Sequence, residues 1–186
     1  MQDSVRTAIG MGLAALAVTG APTAYAYYGP AFPIVTDSRY IKVCSECHMA
    51  YQPQLLPERS WRKVLDPAQL KSHFGESLDI EPATRDAILA YLTANSAEHS
   101  DNERSKEILR SIPRNETPIA ISKTPHIYGW HVSLFAPAWE GYTMPSTPGA
   151  CNVCHYRADL GDYNERHFGV RDRTFTIRKD PIKWWE

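Results

Sequence analysis

The chain has 186 residues, and its 20 lysines and arginines nearly balance its 21 aspartates and glutamates, which gives a formal charge of −1. A near-neutral chain lacks the basic surface that nucleic-acid binding requires, so we expect no nucleic-acid partner. Beyond the N-terminal segment, no hydrophobic run is long enough to cross a bilayer, so we also expect no stable membrane insertion.

The N-terminal segment has the features of an export signal. Arg6 and the amino terminus supply positive charge, and the apolar run over residues 8–21 is too short for a membrane span. Ala24-Tyr25-Ala26 matches a signal-peptidase site, so we predict that residues 1–26 are removed. The remainder is long enough for one ordinary domain or two small ones.

The first half of the remaining chain predicts mostly helices. Residues 27–35 are rich in proline and aromatic side chains, which is typical of an extended arm. Capping residues and helical periodicity then predict helices over residues 39–48, from residue 58 onward, over a short stretch around residues 70–74 that ends at Gly75, and over residues 81–97 and 101–112.

The second half is less regular. Six prolines between residues 113 and 148 predict irregular loops with short extended pieces. Regular structure is expected again at residues 151–155, followed by a short helix over 159–167 and an aromatic arm over 168–186. The predicted fold class is therefore mostly α with long irregular loops.

Two five-residue segments share one pattern, Cys44-Ser45-Glu46-Cys47-His48 and Cys151-Asn152-Val153-Cys154-His155. Two cysteines three positions apart with a histidine directly after them form the attachment signature of a c-type haem. Each cysteine would form a thioether to a porphyrin vinyl group, and the histidine would be the proximal iron ligand. The sequence therefore predicts two covalently attached haem c groups.

Other uses of these cysteines agree less well with the pattern. Disulfides would not require a histidine after each pair, and a Cys₄ zinc site rarely has halves so far apart in sequence. A thioredoxin-like redox pair of cysteines is usually found beside a βαβ pattern, which this sequence does not show. Export also agrees with haem attachment, which takes place in the bacterial periplasm, so the predicted location is periplasmic.

A second axial ligand for each iron must be histidine or methionine. Met49 is too close to His48 to reach the opposite face of its haem, which leaves Met144 as a thioether candidate. For the first haem, His73 is the local candidate. For the second haem, His126 and His131 compete, and spacing alone favours His131 only slightly. His99 and His167 lie in polar surroundings and are expected at the surface.

The chain resembles the bacterial periplasmic dihaem cytochrome c family. The resemblance is carried by three segments: Tyr51-Gln52-Pro53-Gln54-Leu55-Leu56-Pro57-Glu58-Arg59-Ser60-Trp61, Leu70-Lys71-Ser72-His73-Phe74-Gly75 and Ile88-Leu89-Ala90-Tyr91-Leu92. It implies an N-terminal lobe similar to class I cytochrome c, a less regular C-terminal haem lobe, and bis-histidine ligation in both. The family's distal histidines correspond to His73 and to His131, which follows Thr124-Pro125. We place the lobes at residues 27–105 and 106–186.

Two classes of function remain open. If histidines complete both irons, no position is left for a substrate, and the protein is an electron carrier rather than an enzyme. The resemblance implies redox protein partners, including a membrane cytochrome b and a small haem protein. The alternative is a peroxidase-like dihaem enzyme with one open or displaceable haem, although the chain is short for that class.

Overall fold

The computed structural model describes residues 31–134 and 149–164. Within these residues the regular structure is helical, and the only β pairing consists of two isolated bridges. No helix in this part of the chain has the length and apolar character of a membrane span. The predicted signal segment, residues 27–30 of the N-terminal arm and the whole C-terminal arm lie outside the described residues.

Seven α-helices occur in these two ranges, joined by irregular loops and short 3₁₀ turns, so the predicted mostly helical class is confirmed. They are α1 (Ser38–Cys44), α2 (Glu58–Val64), α3 (Pro67–Leu70), α4 (Pro82–Ala94), α5 (Glu103–Ser111), α6 (Pro125–Leu134) and α7 (Cys151–Cys154).

Helix α1 leads directly into the first Cys-X-X-Cys-His segment. It begins after Asp37, whose carboxylate accepts hydrogen bonds from the backbone N–H groups of Arg39 and Tyr40, as expected for an N-cap. The helix ends at Cys44, earlier than predicted, and the chain continues as a turn. The first cysteine therefore stands on a helix end, and His48 lies beyond the turn.

The first core lies between α1, α2 and α4. Trp61 and Val64 of α2 pack with Ile88 and Leu92 of α4, and all four side chains are buried. The indole N–H of Trp61 donates a hydrogen bond of 2.7 Å to the carbonyl of Pro53, which ties α2 to the preceding 3₁₀ turn. Burial of this amphipathic face stabilises helices that are too short to be stable alone.

A second, smaller core joins distant parts of the chain. It consists of Phe32, Leu55, Ile108 and Ile112, with Ile127 and Tyr163 packed against them. The side-chain amide of Asn102, the N-cap of α5, donates to the carbonyl of Ala31. The chain at Ala31 and Phe32 is thereby held between α5 and the residues that follow the second motif.

Three further predicted elements differ from the structure. The helix expected around residues 70–74 ends at Leu70, and the predicted irregular region contains the ten-residue helix α6. The helix expected from residue 159 is a 3₁₀ turn over Ala158–Leu160 that stops at Gly161, because this glycine adopts the left-handed conformation with φ of 74°. The part of that prediction beyond residue 164 lies outside the described residues.

Candidate functional site

The first motif presents one imidazole with a defined orientation. Cys44 is partly buried at the end of α1, whereas Cys47 is exposed in the following turn. The Nδ1 atom of His48 lies 2.7 Å from the carbonyl oxygen of Met49. Because a carbonyl only accepts hydrogen bonds, Nδ1 is the donor and Nε2 remains available to a metal.

His73 stands on a tight turn instead of the predicted helix. Its backbone N–H and carbonyl both bond with Glu76, at 2.7 and 3.0 Å. The two residues between them, Phe74 and Gly75, have φ of 51° and 100°, which is the pattern of a type I′ turn. Glycine adopts such angles without strain, whereas a helix cannot contain them. The turn places the Phe74 side chain in solvent, 61% exposed.

The structure brings His48 and His73 together. Their ring centroids are 6.4 Å apart, and the ring planes differ by 29°. Two imidazoles on opposite sides of one iron, each about 2 Å from it through Nε2, would have centroids about 6 Å apart. The observed separation therefore fits a haem iron held between these two side chains.

The second motif forms helix α7, as the sequence predicted for this region. The backbone N–H of His155 donates to the carbonyl of Cys151 at 2.8 Å. The ring of His155 faces His131 of α6 with 6.1 Å between centroids and an interplanar angle of 80°. His131 Nδ1 donates to the carbonyl of Ile127 at 2.7 Å, which leaves Nε2 available. This pair has nearly the same spacing as the first, but its rings are close to perpendicular.

The other candidates are placed elsewhere. His126 Nε2 lies 3.6 Å from a carboxylate oxygen of Glu107, and His126 is not paired with a motif histidine among the interactions of the described residues. His99 is largely exposed, with Nε2 4.0 Å from Glu58. His167 and Met144 lie outside the described residues.

Each Cys-X-X-Cys-His motif and its facing histidine form one half-site. Burial controls the protonation of both half-sites. It raises the pKa of the Cys44 thiol to about 12 and that of Cys151 to about 11. It also lowers the pKa of His155 to about 4, with a smaller contribution from His131, and lowers the pKa of His73. The surroundings disfavour charge, so these imidazoles are neutral near pH 7, which is the form that binds a metal.

The four cysteines of the two motifs all lie among the described residues. All four thiols are free, and no disulfide joins them. In the described ranges, no three or more His, Cys, Asp or Glu side chains converge as the ligands of one metal ion. The two motifs remain separate half-sites, each with one facing histidine.

Three residues for which the sequence predicted no site role lie in space between the two motifs: Tyr51, Gln52 and Tyr163. Tyr51 stacks on His48 with 4.6 Å between centroids, and Tyr163 lies against His155 at 5.4 Å. Gln52 is fully buried and hydrogen-bonds to Tyr163. A single buried glutamine produces no hydrophobic periodicity in the sequence. Only the tertiary contacts therefore show that Gln52 lies between the two motifs.

The known proteins that this chain resembles are dihaem cytochromes c. A family model described as dihaem cytochrome c matches residues 40–163. A diheme cytochrome c from Rhodobacter sphaeroides is 35% identical, with a TM-score of 0.57 over 68% of this chain and 96% of its own. A second structure, of DHC purified from the same organism, is 34% identical, with a TM-score of 0.53 over 69% of this chain and 97% of its own.

A diheme cytochrome c from Shewanella baltica, 23% identical, shares the fold with a TM-score of 0.53 over 74% of this chain and 94% of its own. No curated protein matched the chain. The matched family segment includes both Cys-X-X-Cys-His motifs and both facing histidines, and it extends over well over half of the sequence. The chain belongs to the dihaem cytochrome c family, and this membership supports a haem-based electron-transfer role.

Proposed function

We propose that the chain is a periplasmic electron carrier with two covalently attached, six-coordinate haems. Cys44 and Cys47 would attach the first haem, and Cys151 and Cys154 the second. His48 with His73, and His155 with His131, would complete the two irons. The observation that carries this proposal is the spacing of each facing pair, 6.4 and 6.1 Å between ring centroids.

The haems supply one-electron chemistry at iron, and the protein residues hold the ligand set in place. The backbone carbonyls of Met49 and Ile127 fix the orientation of His48 and His131, so little rearrangement accompanies a change of charge at either site. Two imidazoles also lack the thioether that raises the potential of His/Met cytochromes. Both haems are therefore proposed to have low potentials.

The export signal expected at residues 1–26 supports the periplasmic location. The partners we propose are redox proteins, including a membrane cytochrome b and a small haem protein. These follow from the family resemblance and from ligation that leaves no iron position for a substrate.

The test is haem content combined with ligand binding to iron. A pyridine haemochrome assay should give two covalent haems per chain, and the ferrous protein should bind no carbon monoxide. One covalent haem would contradict the dihaem assignment. Two haems with carbon monoxide bound at one of them would instead favour the peroxidase-like alternative.

A further inference from the structure

The residues between the two motifs form a continuous chain of contacts, which we call the Tyr51–Gln52–Tyr163 bridge. At its first end, the Tyr51 ring is stacked on His48, with an interplanar angle of 22°. The Tyr51 hydroxyl donates to the carbonyl of Gly149, and the Cys151 N–H donates to the same carbonyl at 2.9 Å. Tyr51 therefore contacts the first proximal histidine and the backbone of the second motif.

Gln52 is the central residue of the bridge. Its side chain is 0% exposed, and both polar atoms of its amide are paired. The amide nitrogen donates to the carbonyl of Ala158, and the amide oxygen accepts from the Tyr163 hydroxyl, both at 2.7 Å. A carbonyl accepts only, which fixes the orientation of the amide. A buried glutamine is tolerated here because each polar atom has a partner in the second lobe.

Tyr163 completes the path. The Tyr163 ring lies against the imidazole of His155. Phe32 packs edge-on against the Tyr163 ring, with 5.7 Å between centroids. From His48 to His155 the contacts thus run through a stacked ring, one peptide bond, one hydrogen-bonded amide and a second ring. Electrons tunnel more readily along covalent and hydrogen-bonded contacts than across a gap of the same length.

We propose that the Tyr51–Gln52–Tyr163 bridge is the internal route by which an electron crosses between the two haems, an inference that rests on the proposed dihaem carrier. One ferrous iron loses an electron and the other, ferric, iron gains it, so no bond is made or broken. No proton needs to move. Both tyrosine hydroxyls act as hydrogen-bond donors, that of Tyr51 to the Gly149 carbonyl and that of Tyr163 to the Gln52 amide oxygen.

The experiment compares Tyr163→Phe with the unaltered holoprotein. The variant keeps the ring beside His155 but removes the hydrogen bond to Gln52. One electron is injected by flash photoreduction, and its redistribution between the haems is followed by absorption. The two potentials are measured by redox titration, so that a change in driving force is separated from a change in the route. We expect the interhaem rate to fall several-fold while both potentials stay near their original values.

Two further variants sharpen the comparison. Tyr51→Phe keeps the stacked ring and loses only the bond to Gly149, so it should slow transfer less than Tyr163→Phe. Tyr91→Phe is the matched control, because its hydroxyl accepts from the Thr36 N–H at 3.4 Å, outside the bridge. This control should transfer electrons at the original rate.

Thermal unfolding, followed by circular dichroism, separates a route from a purely structural contact. If Tyr163→Phe lowers the midpoint but leaves the interhaem rate unchanged, the bridge only holds the lobes together and the proposal is wrong. If Tyr163→Phe keeps two low-spin haems and an unchanged interhaem rate, the proposed route is wrong but the proposed dihaem carrier is not. A single haem per chain would overturn the bridge and the proposed carrier together.

Discussion

His126 and His131 stand on the same helix but face different surroundings. Five residues along an α-helix correspond to a rotation of about 140°, so the two side chains point in different directions. His126 turns toward Glu107 of α5, whereas His131 turns toward His155. Spacing in the sequence could not separate them, because it does not show where α6 begins or how it is rotated.

Replacement of His131 by alanine should open the second haem. The iron would lose its sixth ligand, so the spectrum of one haem should become high-spin and the ferrous form should bind carbon monoxide. His126→Ala is the matched control, and it should leave both haems low-spin. A high-spin His126 variant beside a low-spin His131 variant would mean that the ligand assignment is off by five residues.

The ring orientations predict different magnetic signatures for the two haems. Nearly parallel imidazoles, as at His48 and His73, interact with one of two iron d orbitals more than with the other and separate their energies. Nearly perpendicular imidazoles, as at His131 and His155, keep the two orbitals close in energy. The interplanar angles of 29° and 80° should therefore give two distinct low-spin signals in low-temperature EPR. Two identical signals would contradict these ring orientations.

At the scale of elements, the sequence predicted the beginnings of helices better than their ends. Asp37 caps α1 and Pro82 is the first residue of α4; both are local signals, and each helix begins within one residue of the predicted position. The sequence does not predict α6, because Pro125 lies in a proline-rich region that is typical of loops, although proline is also favoured at a first helical position. It does not predict the turn at Phe74-Gly75 either, because a glycine at this position is equally typical of a helix end.

Gly161 should be sensitive to any side chain. Its φ is 74°, and a Cβ atom at this position would overlap the carbonyl oxygen of Phe32. Gly161→Ala should therefore lower the free energy of unfolding by about 2 kcal/mol or more, because it adds backbone strain to a steric clash. Denaturant unfolding of the holoprotein measures this change.

Gly129→Ala is the control for that prediction. Gly129 lies within α6, and a Cβ atom added there would meet no atom of another described element within 4 Å. Alanine should raise the free energy of unfolding by up to about 1 kcal/mol there, since it forms helix better than glycine. Equal decreases in the free energy of unfolding of the two variants would mean that the Phe32–Gly161 contact makes no specific contribution to stability.

At the scale of the whole molecule, the two half-sites belong to one connected structure. Capping residues and periodicity predicted the helical class, and the family resemblance implied His73 and His131 as distal ligands. It indicated neither the bridge nor the small core around Phe32, because these depend on contacts between residues far apart in sequence. Gln52 illustrates the difficulty, since its partners Ala158 and Tyr163 lie beyond the second motif.

This connection predicts that the two haems influence each other's potential. An electron on one haem adds negative charge near the other haem, across a buried contact. Reduction of one haem should therefore lower the reduction potential of the other. Raising the ionic strength to about 0.5 M should reduce the coupling only in part, because buried charges are weakly screened. Potentiometric titration followed by absorption checks this, and two fully independent titrations would contradict it.

The hydrogen bond of 3.0 Å from the Phe32 N–H to the Gly161 carbonyl also sets an order of assembly. The chain is synthesised from its N terminus, so Phe32 emerges long before Gly161 does. Until Gly161 arrives, Phe32 lacks the backbone partner and the Tyr163 ring against which it packs. Both Cys-X-X-Cys-His segments precede Gly161 in the chain, so both are available for haem attachment before this contact closes. We therefore expect closure of this contact to come late in the maturation of the protein.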